Sequence, residues 1–376
     1  MDVLVSRSAL AKSLSLANTV ANRRTTMPVL ANVLLRAMGK KLLVAASDLT
    51  ATISSEIDCE IKEGGSLTLN AKNLGDMVNS LDLDELNLKS ADDSNAEILC
   101  GRSRFKLAGL PVKDFPKLPD HREVKFAEVP AAILRDMFER VAFSASTDDQ
   151  RPTLYGVHFE SDGENAMAVA ADGQGLSYIK KPLAGLKVAG VLIPKKSVDD
   201  IVGLLAGAET AEVAVSKQHI FVRAGNTVLA TQPTGQDWPL ASLPVFLRAE
   251  HQHTMVAPRK ALLAALDRAA IVSRGQKYAA TLLTMEKDLL TVSAKDPKTG
   301  TSHDELAVSY DGAGKLSVLA ASRLWIAYLK VLDGDEVQIG CGGPLDHMVI
   351  HAPGDRSAVT VLMPMDEVKN EKANAS

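Results

Sequence analysis

Little in this 376-residue chain could cross-link it, anchor it in a membrane or coat it with positive charge. Three cysteines, Cys59, Cys100 and Cys341, are too few and too scattered for a disulfide framework, which favours a reducing compartment. Nowhere do about 18 apolar residues run together, so no membrane-spanning helix is expected. Charges interrupt every stretch of MDVLVSRSALAKSLSLANTVANRR long enough to be a signal-peptide core. Lys and Arg number 42 against 46 Asp and Glu, a formal charge of −4. That excludes a generally basic coat but leaves room for a basic surface inside an acidic whole. The expectation is a soluble cytoplasmic protein. With 46% hydrophobic and 23% charged residues the mixture is globular, and the length suits two or three domains of about 100–200 residues.

Signatures of enzyme chemistry are missing as well. There is no GxxxxGK[ST] phosphate loop, no HExxH and no GxSxG elbow. The glycine-rich run GCGGP (340–344) leads into a strand instead of a helix, so it reads as a hairpin turn. Cys341, His347 and His351 fit two adjacent strands without a metal. No metal and no cofactor are expected, and no catalytic residue is assigned.

What the chain does have is an internal repeat. Leu10, Leu134 and Leu262 open three similar helix patterns at separations of 124 and 128 residues. Leu81, Leu205 and Leu332 close a second trio of helices at 124 and 127. Asp48, Asp172 and Asp296 mark equivalent turns at 124 and 124. Joints fall at PKLPDHRE (116–123) and LPVFLRAEHQH (243–253), rich in Pro and charge and without sustained periodicity. The division is 1–122, 123–249 and 250–365, with 366–376 a polar tail expected to be disordered. Each unit holds two helices and several short strands, and no strand is regularly followed by a crossover helix. The fold class is therefore α+β, three repeated domains of antiparallel sheets backed by two helices.

Positive charge is unevenly placed. Residues 6–24 carry +4, residues 256–274 carry +3 and residues 322–331 carry +2, whereas the other three helices carry 0, 0 and −1. The six helices sum to +8, leaving −12 for everything else. A basic helical face within an acidic protein suits a polyanion held at one place and repelled elsewhere. On helix charge alone, Arg7, Lys12 and Arg23 are candidates for contact with nucleic acid. GRSRFKLAG (101–109) reads as an edge strand with Phe105 and Leu107 on one face and Arg102 and Arg104 nearby, an edge that needs a covering partner.

RTTMPVLANVLL (24–35), SDLTATI (47–53), GRSRFKLAGLPVKDFPKL (101–118), AADGQGLS (170–177), RAAIVS (268–273) and VLMPM (361–365) resemble, in order and spacing, the bacterial DNA polymerase III beta subunit family of sliding clamps. The resemblance runs from Met1 to Met365. It implies sheets outside and helices inside, in a protomer that dimerises head to tail into a ring around sequence-independent duplex DNA. It further implies a role tethering the polymerase III catalytic subunit, a clamp loader and other proteins that carry clamp-binding peptides. Arg24, Lys72, Gln150, Arg151, Lys195 and Lys196 become DNA-proximal candidates. Phe105 and Leu107 would meet Ile271 and Val272 of the other protomer, with Asp304 and Glu305 as acids facing the arginines.

The same resemblance implies a peptide groove at Leu154, Gly173, Gln174, Gly175, Leu176, Trp238, Pro239, Leu345, Val361, Met363, Pro364 and Met365. Flexible methionines suit a surface that accepts several related peptides. Gln174-Gly175 stand where the family usually has His-Arg, Pro152-Thr153 replace an aromatic pair, and Leu240-Ala241-Ser242-Leu243 lack an expected arginine. Eleven residues follow Met365, where the family usually stops within one or two. These departures point to an altered peptide preference and a tail lying over or beside the groove. Two other readings stay open. One is a repeat-built transferase of the inverse-barrel kind, which moves enolpyruvate onto phosphorylated substrates but has shorter and more numerous units. The other is an assembly scaffold with this fold and no grip on DNA.

Overall fold

A computed structural model describes residues 1–21, 26–90, 95–247, 251–276 and 279–366. Arg23 and Arg24 lie outside the described residues, as does the tail beyond Asp366. Six helices form where the charge count placed them: Arg7–Val20, Ala71–Asn79, Ala131–Ala142, Lys195–Leu204, Arg259–Ser273 and Ser322–Val331. The Ser6 hydroxyl caps the first by accepting from the amide of Ala9, and Asn70 caps the second through the amide of Asn73. In the first helix Leu10, Leu14, Ala17 and Val20 are buried at i, i+4, i+7 and i+10, so one stripe faces the core and the remainder faces out. Each fully buried leucine is worth about 1.5–3 kcal/mol of transfer free energy.

The described residues form two compact units, one of Met1–Arg135 with Lys196–Pro233, the other of Asp136–Lys195 with the residues from Thr234 on. The second repeat therefore contributes strands to both. In the first unit a twelve-stranded sheet forms with every pairing antiparallel, and the second repeat joins it where Thr227–Thr231 pairs with Ala51–Glu63, Leu229 opposite Ile53. In the second unit a nine-stranded sheet takes Gly175–Pro182 against Asp355–Leu362, Leu176 opposite Val361. A separate four-stranded sheet has Gly300–Ala307 at one edge and Leu316–Ala321 at the other. In this sheet Leu283, Met285, Val292 and Val318 join the core beneath the helices, so Leu282, Ser293 and Leu319 point to the opposite face.

The three period-marking aspartates do one job. Asp48 Oδ1 accepts from the amides of Thr50 and Ala51, Asp172 Oδ1 from Gln174 and Gly175, and Asp296 Oδ1 from Lys298 and Thr299. Each closes a turn between two strands through its own side chain. The run GCGGP connects Glu336–Cys341 to Met348–Ala352 in an antiparallel hairpin. The stretch read as a joint at 243–253 contains one short helix, Leu243–Phe246, too brief to leave a periodic signature. Among the described residues no helix is long and apolar enough to cross a membrane.

Candidate functional site

In the second unit an apolar groove of about 230 Å³ opens beside the junction of the Gly175–Pro182 and Asp355–Leu362 strands. Pairing Leu176 with Val361 brings both side chains to one wall. Trp238, only 5% exposed, packs over Val169 and Leu192, with its ring 6.5 Å from that of His158. The Trp238 indole N–H is enclosed without a hydrogen-bond partner among the described residues. The amide of Met363 donates to the carbonyl of Gln174 at 2.8 Å, which pins the segment after the last strand along the groove.

Of the twelve residues expected here, Leu154, Gly173, Gly175, Leu176, Trp238, Pro239, Val361 and Met363 line the groove. Four do not. Gln174 turns toward a neighbouring polar cleft, where it accepts from Arg323 Nη2 at 3.0 Å. Leu345 sits on the Cys341–Met348 hairpin, 73% exposed, and is not part of the lining. Pro364 is half-buried outside it, and Met365 packs against the core of the third repeat. Ala171, Ser242 and Phe246 complete the wall and were not anticipated. Phe246 belongs to the short helix inside the supposed joint; an aromatic among apolar residues in a linker was the signal that could have found it.

The polar cleft, about 450 Å³, shares Gly173 with the groove. Arg151, Lys195 and Arg323 line it together with Asp148 and Asp172. Arg151 Nη1 donates to the carbonyl of Asp172 at 3.0 Å, and Arg323 pairs with the Asp172 carboxylate. Gln150 is exposed on the turn leading into Arg151. Arg323 was counted only as helix charge, although it is the residue that brings Asp172 and Gln174 together.

The other basic candidates lie in the first unit and differ in how far they are engaged. Lys12 is exposed on a cleft of about 500 Å³ beside Gly203–Thr210 and Ala224–Thr227. Lys72 is exposed and 3.8 Å from Asp76, a surface pair one helical turn apart. Arg7 is half-buried at its helix start, its Nε enclosed without a partner among the described residues. Lys196 is tied into the fold, its Nζ 2.5 Å from Asp48 Oδ2 and 3.6 Å from Asp200 Oδ2. Burial raises the Asp200 carboxyl above the ordinary aspartate range, with the Lys196 charge pulling the other way.

Two strands offer open edges. Ser103–Leu110 pairs along its length with Asn95–Cys100 on one side, but meets Gly65–Asn70 only at Gly109 and Leu110. Phe105 and Leu107 are half-buried on one face, while Arg102, Arg104 and Lys106 are exposed, Arg104 pairing with Glu97. Gly300–Ala307 is the outer strand of its sheet and carries Asp304 and Glu305. Asp304 is held by Arg268 of the same chain in a bidentate contact at 2.7 and 3.1 Å, which lowers its carboxyl below the usual range. Glu305 lies 3.2 Å from His303. Ile271 is 62% exposed near the end of the Arg259–Ser273 helix, while Val272 leans onto the core.

Models of the DNA polymerase III beta subunit match the chain in three consecutive parts: the N-terminal domain at residues 1–119, the central domain at 128–239 and the C-terminal domain at 246–366. The chain belongs to the DNA polymerase III beta subunit family. A beta sliding clamp of Pseudomonas putida is 27% identical over 369 residues, covering 97% of this chain and all of its own. The crystal structure of the DNA polymerase III subunit beta from Pseudomonas aeruginosa superposes with a TM-score of 0.86 at 26% identity, over 97% of this chain and 100% of that one. The sliding clamp structure from Bacillus subtilis reaches a TM-score of 0.88 at 21% identity, over 97% and 99%, and speaks to the fold alone. The architecture is thus the three-domain sliding clamp fold, and the function is that of a processivity clamp for DNA polymerase III.

Proposed function

We propose that two copies of this chain close head to tail into a ring through which duplex DNA passes, each copy divided into domains at 1–122, 123–249 and 250–365. The observation that carries this reading is the pair of open, oppositely charged edges. One presents Arg102, Arg104 and Lys106, the other Asp304 and Glu305. Isolated edges of this kind invite pairing, and complementary charge selects the partner and its register. Phe105 and Leu107 of one copy meet Ile271 and Val272 of the other. Asp304 then contributes as an Arg268–Asp304 unit and not as a lone acid.

The ring acts without catalysis and without a cofactor of its own, in the cytoplasm beside replicating DNA. A ring that slides cannot read bases, since each good bidentate contact would cost about 1–3 kcal/mol to leave. It uses phosphate contacts that look alike at every step, from Lys12, Lys72, Arg151 and Lys195 with Gln150 beside them. Lys196, already paired with Asp48 and Asp200, contributes field more than contact, as does Arg7, which is half-buried at its helix start. Arg23 and Arg24 join this set on sequence grounds.

The apolar groove takes a short peptide from the polymerase, the loader or a repair protein. Tethering there raises the effective concentration of that partner at the primer end. Gly175 and Gln174 leave the rim without the usual cation, and Arg323 supplies one on the adjoining cleft. The test is retention on nicked circular plasmid after loading with an ATP-driven clamp loader, followed by linearisation. Release from linear ends is expected; retention on linear DNA would sink the encirclement.

A further inference from the structure

Two arginines of the second unit are braced on one aspartate. Arg151 Nη1 donates to the backbone carbonyl of Asp172 at 3.0 Å. Arg323 Nη2 pairs with the Asp172 carboxylate and donates to Gln174 Oε1 at 3.0 Å. Asp172 is itself fixed, because its Oδ1 accepts from the amides of Gln174 and Gly175 at 2.9 Å. Each guanidinium is therefore held at one end. The other ends face solvent, the Arg323 side chain being 58% exposed and that of Arg151 53%. Arg323 commits only Nη2 to these partners, so its Nε and Nη1 carry no bond among the described residues. A guanidinium anchored through one nitrogen and presenting the others is preorganised to take a carboxylate.

The cleft that holds these arginines adjoins the apolar groove at Gly173, which lines both. An extended peptide advances about 3.3 Å per residue and sends alternate side chains to opposite faces. A peptide with an apolar side chain in the groove thus brings a side chain one or two residues away past Gly173 and into the cleft. Charge in the cleft is nearly balanced, with Arg151, Lys195 and Arg323 set against Asp148 and Asp172. A single carboxylate completes that balance. A duplex presents a phosphate charge about every 1.7 Å of its axis, and the half-exposed Asp148 would repel such an array. The cleft is therefore better matched to one acid than to a polyanion.

We propose that the polar cleft is the anionic half of the peptide site, in which Arg323, with Arg151 beside it, takes the carboxylate of an acidic residue flanking the peptide's apolar anchor. The inference rests on the reading of the groove as a peptide site and adds the chemistry of the partner: an apolar anchor with an acid next to it. Arg323 is then the residue that sets specificity. Gln174 is a positioning residue, since its side chain steers the Arg323 guanidinium toward the turn that both halves share.

Fluorescence anisotropy on the full chain tests it, with a labelled clamp-binding peptide carrying Asp, Asn or Lys next to its apolar anchor, on each side in turn. On one side the Asp peptide should bind about fivefold tighter than the Asn peptide at low salt, and the Lys peptide should bind weakest. Equal binding of the Asp and Asn peptides on both sides overturns the proposal while leaving the groove reading intact. If neither peptide binds, the groove reading fails and this inference falls with it. Arg323→Gln should abolish the preference for Asp, and Arg323→Lys, which keeps the charge but not the fork, should retain part of it. A preference that survives Arg323→Gln overturns the assignment to Arg323. Should Arg323→Gln instead weaken retention on duplex DNA while the Asp and Asn peptides bind alike, the cleft serves phosphate and the proposal is wrong.

Discussion

Gly173 holds its backbone at φ +88°, and a Cβ placed on it would run into the guanidinium of Arg151, which donates to the carbonyl of Asp172. One residue therefore joins three features: the left-handed turn after Asp172, the wall of the apolar groove and the cation of the polar cleft. Gly173→Ala meets backbone strain of about 1 kcal/mol or more, and displaces the exposed Arg151 guanidinium from its hydrogen bond to the Asp172 carbonyl. The expected outcome is a loss of roughly 1–3 kcal/mol in chemical denaturation, together with weaker peptide binding. Unaltered stability with normal peptide affinity would mean that the turn relaxes freely.

The groove itself can be probed without touching the core. Met363 is 39% exposed and lines the groove, so Met363→Ala should leave the midpoint of unfolding nearly unchanged while weakening a bound clamp-binding peptide by about tenfold. Leu345→Ala is the matched control, because Leu345 lies on the hairpin away from the lining; an effect of less than about twofold is expected. Fluorescence anisotropy with a labelled peptide measures both. If Leu345→Ala proves the more damaging, the groove has been drawn in the wrong place.

These two residues show what the sequence could and could not disclose. The turn aspartates were legible because an Asx turn needs only its own next three residues, and those recur at Asp48, Asp172 and Asp296. The buried stripe through Leu10, Leu14 and Ala17 was legible for the same reason, being local and periodic. Partners distant along the chain were not. Lys196 looked like a presented cation, but Asp48, 148 residues away, occupies it; Asp304 looked like a free acid, but Arg268 holds it. Family motifs carried Leu345 into the groove set because motifs give position in order and not the direction of a hairpin. Phe246 was lost because a four-residue helix has no period to read.

Closure of the ring makes a further prediction. Ile271 is exposed by more than half, an unusual position for isoleucine unless something covers it. Ile271→Ala with Val272→Ala should shift the protein from dimer toward monomer in sedimentation velocity at micromolar concentration. Arg268→Ala should weaken the dimer as well, by releasing Asp304 from its bidentate hold. A sedimentation coefficient that stays unchanged in both variants would remove these residues from the interface.

Asp200 provides a prediction in pH. Its carboxylate is almost fully buried, burial is the leading cause of its raised pKa, and the Lys196 ammonium at 3.6 Å compensates only in part. A folded-state pKa above the unfolded value means that the native chain holds this proton more tightly than the unfolded one. Ionised Asp200 is thus a cost at neutral pH, and that cost falls as pH drops through the folded pKa. It disappears below the ordinary aspartate value of about 3.9, where both states are protonated. Asp200→Asn removes the charge with little change in shape, so it should stabilise the protein by about 1 kcal/mol at pH 7. The advantage should hold while the buried carboxyl stays ionised and shrink as pH falls through the folded pKa toward about 4. Paired denaturation curves of the two proteins at several pH values measure it directly. A variant less stable than the parent at pH 7 would show that the pairing with Lys196 outweighs the burial of the carboxylate.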